Sequence, residues 1–394
     1  MKVLIDATIL RMDKLFASVP IYIFRLLSAI NYKDRGHFTL LIEKSMAGYI
    51  HKNYPGYNLL YFKGRGYKLF YWRNPLYYWY NYRYSQIVRK HRFDVVFNPT
   101  DIPIYNTSKL SCPKVVVCHD LKALKGDASL LTNALIRWEH ANRYRKSFQS
   151  ADAIVAISKF TRQDILTYYP DVERKIHVIY NAVKLSNEAI IPQNLDLSFS
   201  YILYVNTLQP YKNIVTLVKA FCSIKDKCKE KLLIVGKSTA HWENVILPLL
   251  RKNQADNKII RLENLSNNEL RYLYEHASLF VTPSLNEGFG YTPIEAAICK
   301  CPVLSSIQES LPDVTKGMTN YYYPATDEKA LAHSMIELLN NPPSQEKLYE
   351  IADTYSECYS TKKQVKEILQ LLKDVVQQNR FQSSKSIGIK EDTL

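Results

Sequence analysis

Glycine is scarce in this chain, with 11 among 394 residues. Cysteine is odd in number, at seven, and no Cys-x-x-Cys pair occurs, which speaks against both a disulfide framework and a zinc site. Cys299 and Cys301 read as buried thiols. No apolar run reaches the ~18 residues needed to span a bilayer. After Met1-Lys2, Asp6 interrupts any apolar stretch of the signal-peptide kind, so a cytoplasmic protein is expected. Acids are missing from one further place. Between Tyr61 and Arg92 the chain carries eight Lys and Arg, many Tyr and Trp, and no Asp or Glu.

Against these absences stands a chain longer than one hydrophobic core usually supports, so two domains are expected. Charge divides them. Residues 1–185 hold 29 Lys and Arg against 13 Asp and Glu, a net +16, and residues 186–394 hold 23 against 24, a net −1. The basic surface therefore serves one domain's partner. Strand-like runs at Val3 to Leu10, Phe38 to Ile42, Asp94 to Phe97, Val115 to Cys118, Ala153 to Ile157 and Ile176 to Ile179 alternate with helical ones, including Val19 to Ile30 and Leu130 to Phe148. A polar stretch around 184–199 with Pro192 reads as a linker. The alternation restarts at Tyr201 to Val205, Leu232 to Val235, Ile259 to Leu262, Leu279 to Thr282 and Val303 to Ser305, with a capping box at Ser266-x-x-Glu269. Each half should form a mainly parallel, Rossmann-like α/β sheet. Tyr359 to Val376 reads as a last helix, and the tail 377–394 lacks apolar periodicity and is expected to be disordered.

The segment Ser-Leu-Phe-Val-Thr-Pro-Ser-Leu-Asn-Glu-Gly-Phe-Gly-Tyr-Thr-Pro-Ile-Glu-Ala-Ala from Ser278 carries the most information. Glu287 and Glu295 have seven residues between them, with Gly288 and Gly290 in the turn. Thr292 looks like an N-cap, Pro293 suits the first helical position and Glu295 the third. A strand, a bare-backbone turn, a helix N-terminus and two acids describe a nucleotide-sugar site. The plain alternative is a capping box of Thr292 and Glu295 with ordinary turn glycines.

This segment resembles the Glu-x7-Glu signature of the retaining GT-B glycosyltransferases of family four (group 1). Other blocks are similar to that family in order: His119-Asp120 after a valine-rich strand, Ser150-Ala-Asp-Ala-Ile-Val-Ala-Ile-Ser158, Tyr204-Val-Asn-Thr-Leu-Gln-Pro-Tyr-Lys212-Asn213, Leu232 to Gly236, and Cys299 to Ser306. The resemblance covers roughly residues 90 to 375. It implies the GT-B architecture, two doubly wound domains (1–185 and 186–376) facing across a cleft, with the last helix crossing back. It also implies transfer of a sugar from a nucleotide-diphosphate-sugar to a glycan, expected to be lipid-linked, in surface polysaccharide assembly.

By resemblance, Lys212 binds the donor diphosphate within a loop that includes Thr207. Glu295 takes the ribose hydroxyls and Glu287 those of the transferred sugar. The backbone of Gly288, Phe289, Gly290 and Tyr291 holds the sugar and phosphates, and His119 lies beside the reacting centre. The plain alternatives are a solvated loop lysine for Lys212 and a structural histidine partnered by Asp120 for His119. No Asp-x-Asp occurs, so no metal and no cofactor are expected, and Lys212 with helix N-termini would neutralise the leaving diphosphate. With no carboxylate placed as a nucleophile, a front-side path through an oxocarbenium-like transition state is expected.

Asn206 stands where the family has glycine and Tyr211 where it has arginine. With Lys300 and the missing glycines near Phe16 to Ser18, these motivate a second reading, a catalytically weak GT-B subunit supporting a partner enzyme. For Tyr61 to Arg92 three readings stand: an anionic membrane surface on the inner face of the cytoplasmic membrane, plain packing in the first domain, or single-stranded nucleic acid. The intact donor motifs argue against a nucleic-acid-binding protein.

Overall fold

The computed structural model describes residues 1–15, 18–62, 75–100, 110–125, 134–193 and 196–391. It divides into two compact units, Met1–Ala182 with Thr361–Leu394, and Val183–Ser360.

The first unit is built on seven parallel strands: β1 (Val3–Asp6), β2 (Phe38–Ile42), β3 (Asn58–Tyr61), β4 (Val95–Asn98), β5 (Lys114–Cys118), β6 (Ala153–Ala156) and β7 (Ile176–Val178). Their order is β3-β2-β1-β4-β5-β6-β7. The inner strands β1, β2, β4, β5 and β6 are buried along their whole length, as the near-continuous Val, Ile and Leu runs require when helices cover both faces. β3 is one of the two edge strands, exposed at both ends and half-buried between, and its Asn-Leu-Leu-Tyr sequence gives no alternating signal. β1 stops at Asp6, well short of Leu10. The Asp6 carboxylate accepts from the Thr8 amide at 3.2 Å and the Thr8 hydroxyl at 2.7 Å, a local turn that competes with further strand.

The helices of this unit are α1 (Ser18–Ala29), α2 (Ala47–Asn53), α3 (Pro75–His91), α4 (Lys122–Lys125), α5 (Ala134–Ser150) and α6 (Lys159–Tyr168). Residues 130–133 of the expected helix from Leu130 lie outside the described residues, as do 63–74 of the aromatic, basic stretch and Phe16. α3 has two characters. Tyr84 and Val88 pack with Phe62, Leu4, Leu41 and Val96, while Tyr78, Trp79 and Tyr82 face solvent.

The second unit has six parallel strands, β8 (Tyr201–Val205), β9 (Lys231–Val235), β10 (Ile259–Leu262), β11 (Leu279–Thr282), β12 (Val303–Ser306) and β13 (Asn320–Tyr322), in the order β10-β9-β8-β11-β12-β13. Its helices are α7 (Ile214–Ile224), α8 (Leu247–Lys252), α9 (Asn267–His276), α10 (Tyr291–Ile298), α11 (Leu311–Val314), α12 (Glu328–Asn340) and α13 (Gln345–Cys358). α9 opens with the expected reciprocal box of Ser266 and Glu269. The polar stretch after Leu185 is tied to that helix start, with the Ile190 amide on Asn268 O at 3.1 Å.

The final helix, α14 (Thr361–Glu391), belongs to the first unit, where it packs on α1 and β4. Two expectations change here. The second unit ends at Ser360 rather than Val376, and the helix continues through the tail expected to be disordered. No proline or glycine interrupts 377–387, and Arg380 pairs with Asp94 at 2.7 Å. No helix among the described residues is long and apolar enough to cross a membrane.

Candidate functional site

In a parallel sheet, ligands gather at the carboxyl ends of the strands. In the second unit the loops after β8, β11 and β12 meet there. The β8 loop turns through Pro210–Lys212 and ends at Asn213, which is in the left-handed region at φ 57. Asn213 holds that conformation with its side chain. Nδ2 donates to Pro283 O at 3.0 Å and Ala325 O at 2.8 Å, and Oδ1 accepts from the Thr216 hydroxyl at 2.7 Å. The Leu285 amide donates to Tyr211 O at 2.9 Å, joining this loop to the one after β11. Lys212 is thereby fixed, 6% exposed, with its ammonium 2.5 Å from Glu287 Oε1.

Glu287 is 8% exposed, and its Oε1 collects two further donors, the Ser284 hydroxyl at 3.1 Å and Asn206 Nδ2 at 3.2 Å. Its backbone is also held. The Glu287 amide donates to Glu309 Oε2 at 2.7 Å, and its carbonyl accepts from the Ser310 hydroxyl at 2.7 Å. A buried carboxylate with one ammonium and two neutral donors is well satisfied, which offsets the cost of removing both charges from water. The solvated-lysine alternative for Lys212 does not hold. Asn206 also accepts from the Thr207 amide at 2.9 Å. Where glycine would leave the backbone bare, this asparagine links the exposed Thr207 to Glu287. Tyr204 lies close by, its hydroxyl 3.3 Å from Thr207 O. Burial first, then the Glu287 charge, pushes its pKa well above the usual tyrosine range, so it remains a neutral donor.

The start of α10 corrects the capping expectation. Gly290 is the N-cap, at φ 80, with Tyr291 the first helical residue and no side-chain cap. Thr292, Pro293 and Glu295 therefore lie inside the helix, and the capping-box alternative falls away. That left-handed φ strains any residue with a Cβ, and a Cβ on Gly290 would also stand 2.9 Å from Leu311 Cδ2, so glycine suits the turn. Glu295, released from capping, accepts at Oε2 from the Tyr274 hydroxyl of α9 at 3.2 Å. Burial and then the Glu295 charge raise the Tyr274 pKa, which keeps this hydroxyl a donor. Phe289 is buried, its ring 5.0 Å from that of Tyr291 and 5.7 Å from that of Tyr359. Gly288 completes the turn between the two glutamates.

His119 follows β5 in the first unit. Its Nε2 lies 2.8 Å from Pro99 O, and a carbonyl can only accept, so Nε2 carries the proton and Nδ1 is the acceptor nitrogen. Burial holds its pKa below the ordinary histidine value, outweighing the Pro99 bond and the Asp120 charge. Its hydrogen-bond partner is the Pro99 carbonyl, not Asp120, whose Oδ1 accepts from the Lys122 amide at 3.1 Å. The Tyr22 ring meets the imidazole edge-on at 5.1 Å.

The structure brings together Lys212, Glu287, Asn206 and Ser284, and separately Glu295 with Tyr274, all in the second unit. Glu309, Ser310 and Tyr274 are members that sequence reading misses. Ser284 was within reach of it, three residues before Glu287. Among the described residues, no group of three or more His, Cys, Asp or Glu could hold a metal ion.

Residues 187–355 match the group 1 glycosyl transferases, and residues 29–187 match Glycosyltransferase Family 4. The serotype-specific mannosyltransferase WbdA of Escherichia coli is 31% identical over 212 residues, 51% of this chain and 26% of that protein. The O-antigen chain mannosyltransferase B of the same organism is 31% identical over 178 residues, 43% of this chain and 47% of that one. The match thus spans about a quarter of the length of the first relative and about half of the second. The structure of Anabaena HepE in complex with UDP superposes with a TM-score of 0.71 at 14% identity, covering 95% of this chain and 100% of that one. Two consecutive family matches, a site built on the Glu-x7-Glu segment and a shared two-sheet fold lead to one assignment: the chain belongs to the GT-B glycosyltransferases of family 4, group 1.

Proposed function

We propose that this chain is a retaining glycosyltransferase that moves a sugar from a nucleotide-diphosphate-sugar to a glycan. The observation that carries the reading is the buried Lys212–Glu287 pair with its ring of neutral donors beside the turn into α10. Lysine has three N–H donors, so Lys212 can keep Glu287 and still offer hydrogens to a diphosphate oxygen. A carboxylate has about four lone-pair sites, so Glu287 can accept from hydroxyls of the transferred sugar alongside these donors. Glu295, oriented by Tyr274, accepts from the ribose hydroxyls. The neutral His119 offers Nδ1 to a substrate hydroxyl.

In this reading the lysine and the helix N-termini neutralise the leaving diphosphate without a metal or other cofactor. The departing phosphate oxygen takes the acceptor's proton on the same face of the sugar. The supporting-subunit alternative rested on Asn206, Tyr211, Lys300 and the missing glycines near Phe16 to Ser18. Asn206 contributes a hydrogen bond to Glu287, which favours an enzyme.

One relative is a serotype-specific mannosyltransferase and the other an O-antigen chain mannosyltransferase, and this supports a place in surface polysaccharide assembly, with mannose the first donor sugar to try. A lipid-linked acceptor on the inner face of the cytoplasmic membrane suits the +16 charge of residues 1–185 and the exposed Tyr78, Trp79 and Tyr82. A panel of nucleoside diphosphate sugars with lipid-linked and soluble glycans, read by product mass in excess EDTA, tests the proposal. One added sugar is expected from one donor. Loss of product in chelator with recovery in Mg²⁺ or Mn²⁺ would overturn the metal-free site, and silence across the panel would favour the supporting subunit.

A further inference from the structure

Glu309 is a carboxylate that the proposed reaction does not use. It follows β12, in the left-handed region at φ 50, a conformation that a non-glycine residue keeps only when its surroundings hold it there. Both of its oxygens are directed at the loop bearing Glu287. Oε2 accepts from the Glu287 amide at 2.7 Å and Oε1 from Asn286 Nδ2 at 3.0 Å. The next residue, Ser310, is fully buried and donates to Glu287 O at 2.7 Å. Two adjacent side chains therefore hold the amide and the carbonyl of one residue on a neighbouring loop, and a third loop, through Asn206, holds its carboxylate.

From this geometry we infer that Glu309 is a positioning residue for Glu287, fixing where its carboxylate meets the transferred sugar. A charged acceptor on a backbone amide is a stronger and better oriented anchor than a neutral one. Site carboxylates must be held within a fraction of an ångström to act. The inference rests on the reading that Glu287 contacts the sugar. It makes the loop after β12 a determinant of how the sugar is held, through Glu287.

The test compares dissociation constants by calorimetry for GDP and GDP-mannose, and for UDP and UDP-glucose, in the intact chain and in Glu287→Ala, Glu309→Ala, Glu309→Gln and the Glu287→Ala/Glu309→Ala double variant. The quantity read is the ratio of the nucleotide's constant to the sugar nucleotide's constant. Glu287→Ala should shift that ratio about tenfold against the sugar. Glu309→Ala should shift it in the same direction by about three- to tenfold with the nucleotide constant unchanged, and Glu309→Gln, with one carbonyl for two donors, by less. The double variant should lose no more than Glu287→Ala alone, since Glu309 acts through Glu287.

An unchanged ratio in Glu309→Ala, where Glu287→Ala shifts it, would overturn the positioning role and leave the Glu287 reading standing. Additive losses in the double variant would also overturn it. An unchanged ratio in Glu287→Ala would remove the sugar contact itself, and the role of Glu309 with it. Should Glu309→Ala fold poorly, Glu309→Gln supplies the same comparison, and an unchanged ratio there would count against the proposal.

Discussion

At the carboxyl ends of its strands, the second unit joins residues that are far apart in sequence. Lys212 meets Glu287 across 75 positions, Asn206 meets it across 81, and Glu309 reaches its amide across 22. The first unit, with the same kind of parallel sheet, includes strand-end bonds of much shorter reach. Asp6 takes Thr8 and Asn98 takes the Thr100 amide, each two residues on, while His119 meets the carbonyl of Pro99 across 20. Long-range polar bonds define one buried geometry and leave a costly unpaired group when one partner is removed. Turn-type bonds re-form or hydrate more readily. The second unit thus holds a prearranged polar cluster at its strand ends, and turn-type bonds such as Asp6–Thr8 in the first can adjust locally.

The largest effect should come from breaking the long-range set. Lys212→Met leaves a buried carboxylate without its cation and should destabilise the chain by about 3–5 kcal/mol in chemical denaturation. Transfer should fall at least about a hundredfold. Adding Glu287→Leu should recover much of the stability and none of the activity. A single variant as stable as the parent would break the contrast between the units.

Next in size, Glu295→Ala should weaken nucleotide binding by about 1.5–3 kcal/mol for each charge-assisted bond lost. Circular dichroism should be unchanged, because Glu295 caps nothing. Unchanged affinity would remove the ribose role.

His119→Gln sharpens the other side of the comparison. Its depressed pKa means that the unfolded chain binds the proton first. The stability this group contributes is therefore whole above about pH 6.5 and declines as pH falls toward the folded value. The variant should flatten that part of the stability–pH curve while costing about 1–2 kcal/mol or less at pH 7.5. A parent whose stability does not change between pH 7 and 5 relative to the variant would contradict the buried neutral imidazole.

The smallest effect is expected at the surface. Replacing Tyr78, Trp79 and Tyr82 with serine and Arg89 and Lys90 with glutamine should reduce sedimentation with anionic liposomes, at about 1 kcal/mol per basic residue near the surface, and more so at low salt. Denaturation midpoints should not move, because these groups lie off the face that Tyr84 and Val88 bury. Equal binding to neutral and anionic liposomes would discard the membrane proposal.

Much of this arrangement is legible in the sequence because parallel strands covered on both faces read as unbroken apolar runs. β8 and β11 lie where those runs stand. β3 and β13 escaped because short edge strands such as Asn58–Tyr61 and Asn320–Tyr322 carry neither a run nor an alternation. Lys212, Glu287 and Glu295 stand out by motif spacing. The start of α10 misled because Thr-Pro-x-Glu has the composition of a cap, while the chain enters the helix two residues earlier, at Gly290 in the left-handed region. Glu309 gives no local sign of its role, since only the pairing of β11 with β12 brings its loop to Glu287.

The first unit is assembled from two stretches of chain, 1–182 and 361 onward, with the second unit lying between them in sequence. The Val183 amide bonds Tyr359 O at 2.8 Å and Gln364 Nε2 bonds Tyr180 O at 3.2 Å, so the outgoing and returning segments run side by side. On the ribosome the order of completion is therefore reversed from the usual N-terminal-first course. Val183–Ser360 has all its strands as soon as Ser360 emerges, whereas the sheet begun at Val3 waits for α14 to cover α1 and β4. During that interval the nascent chain shows apolar surface on its oldest part, and a chaperone that attends this protein during synthesis would be expected to hold the N-terminal unit.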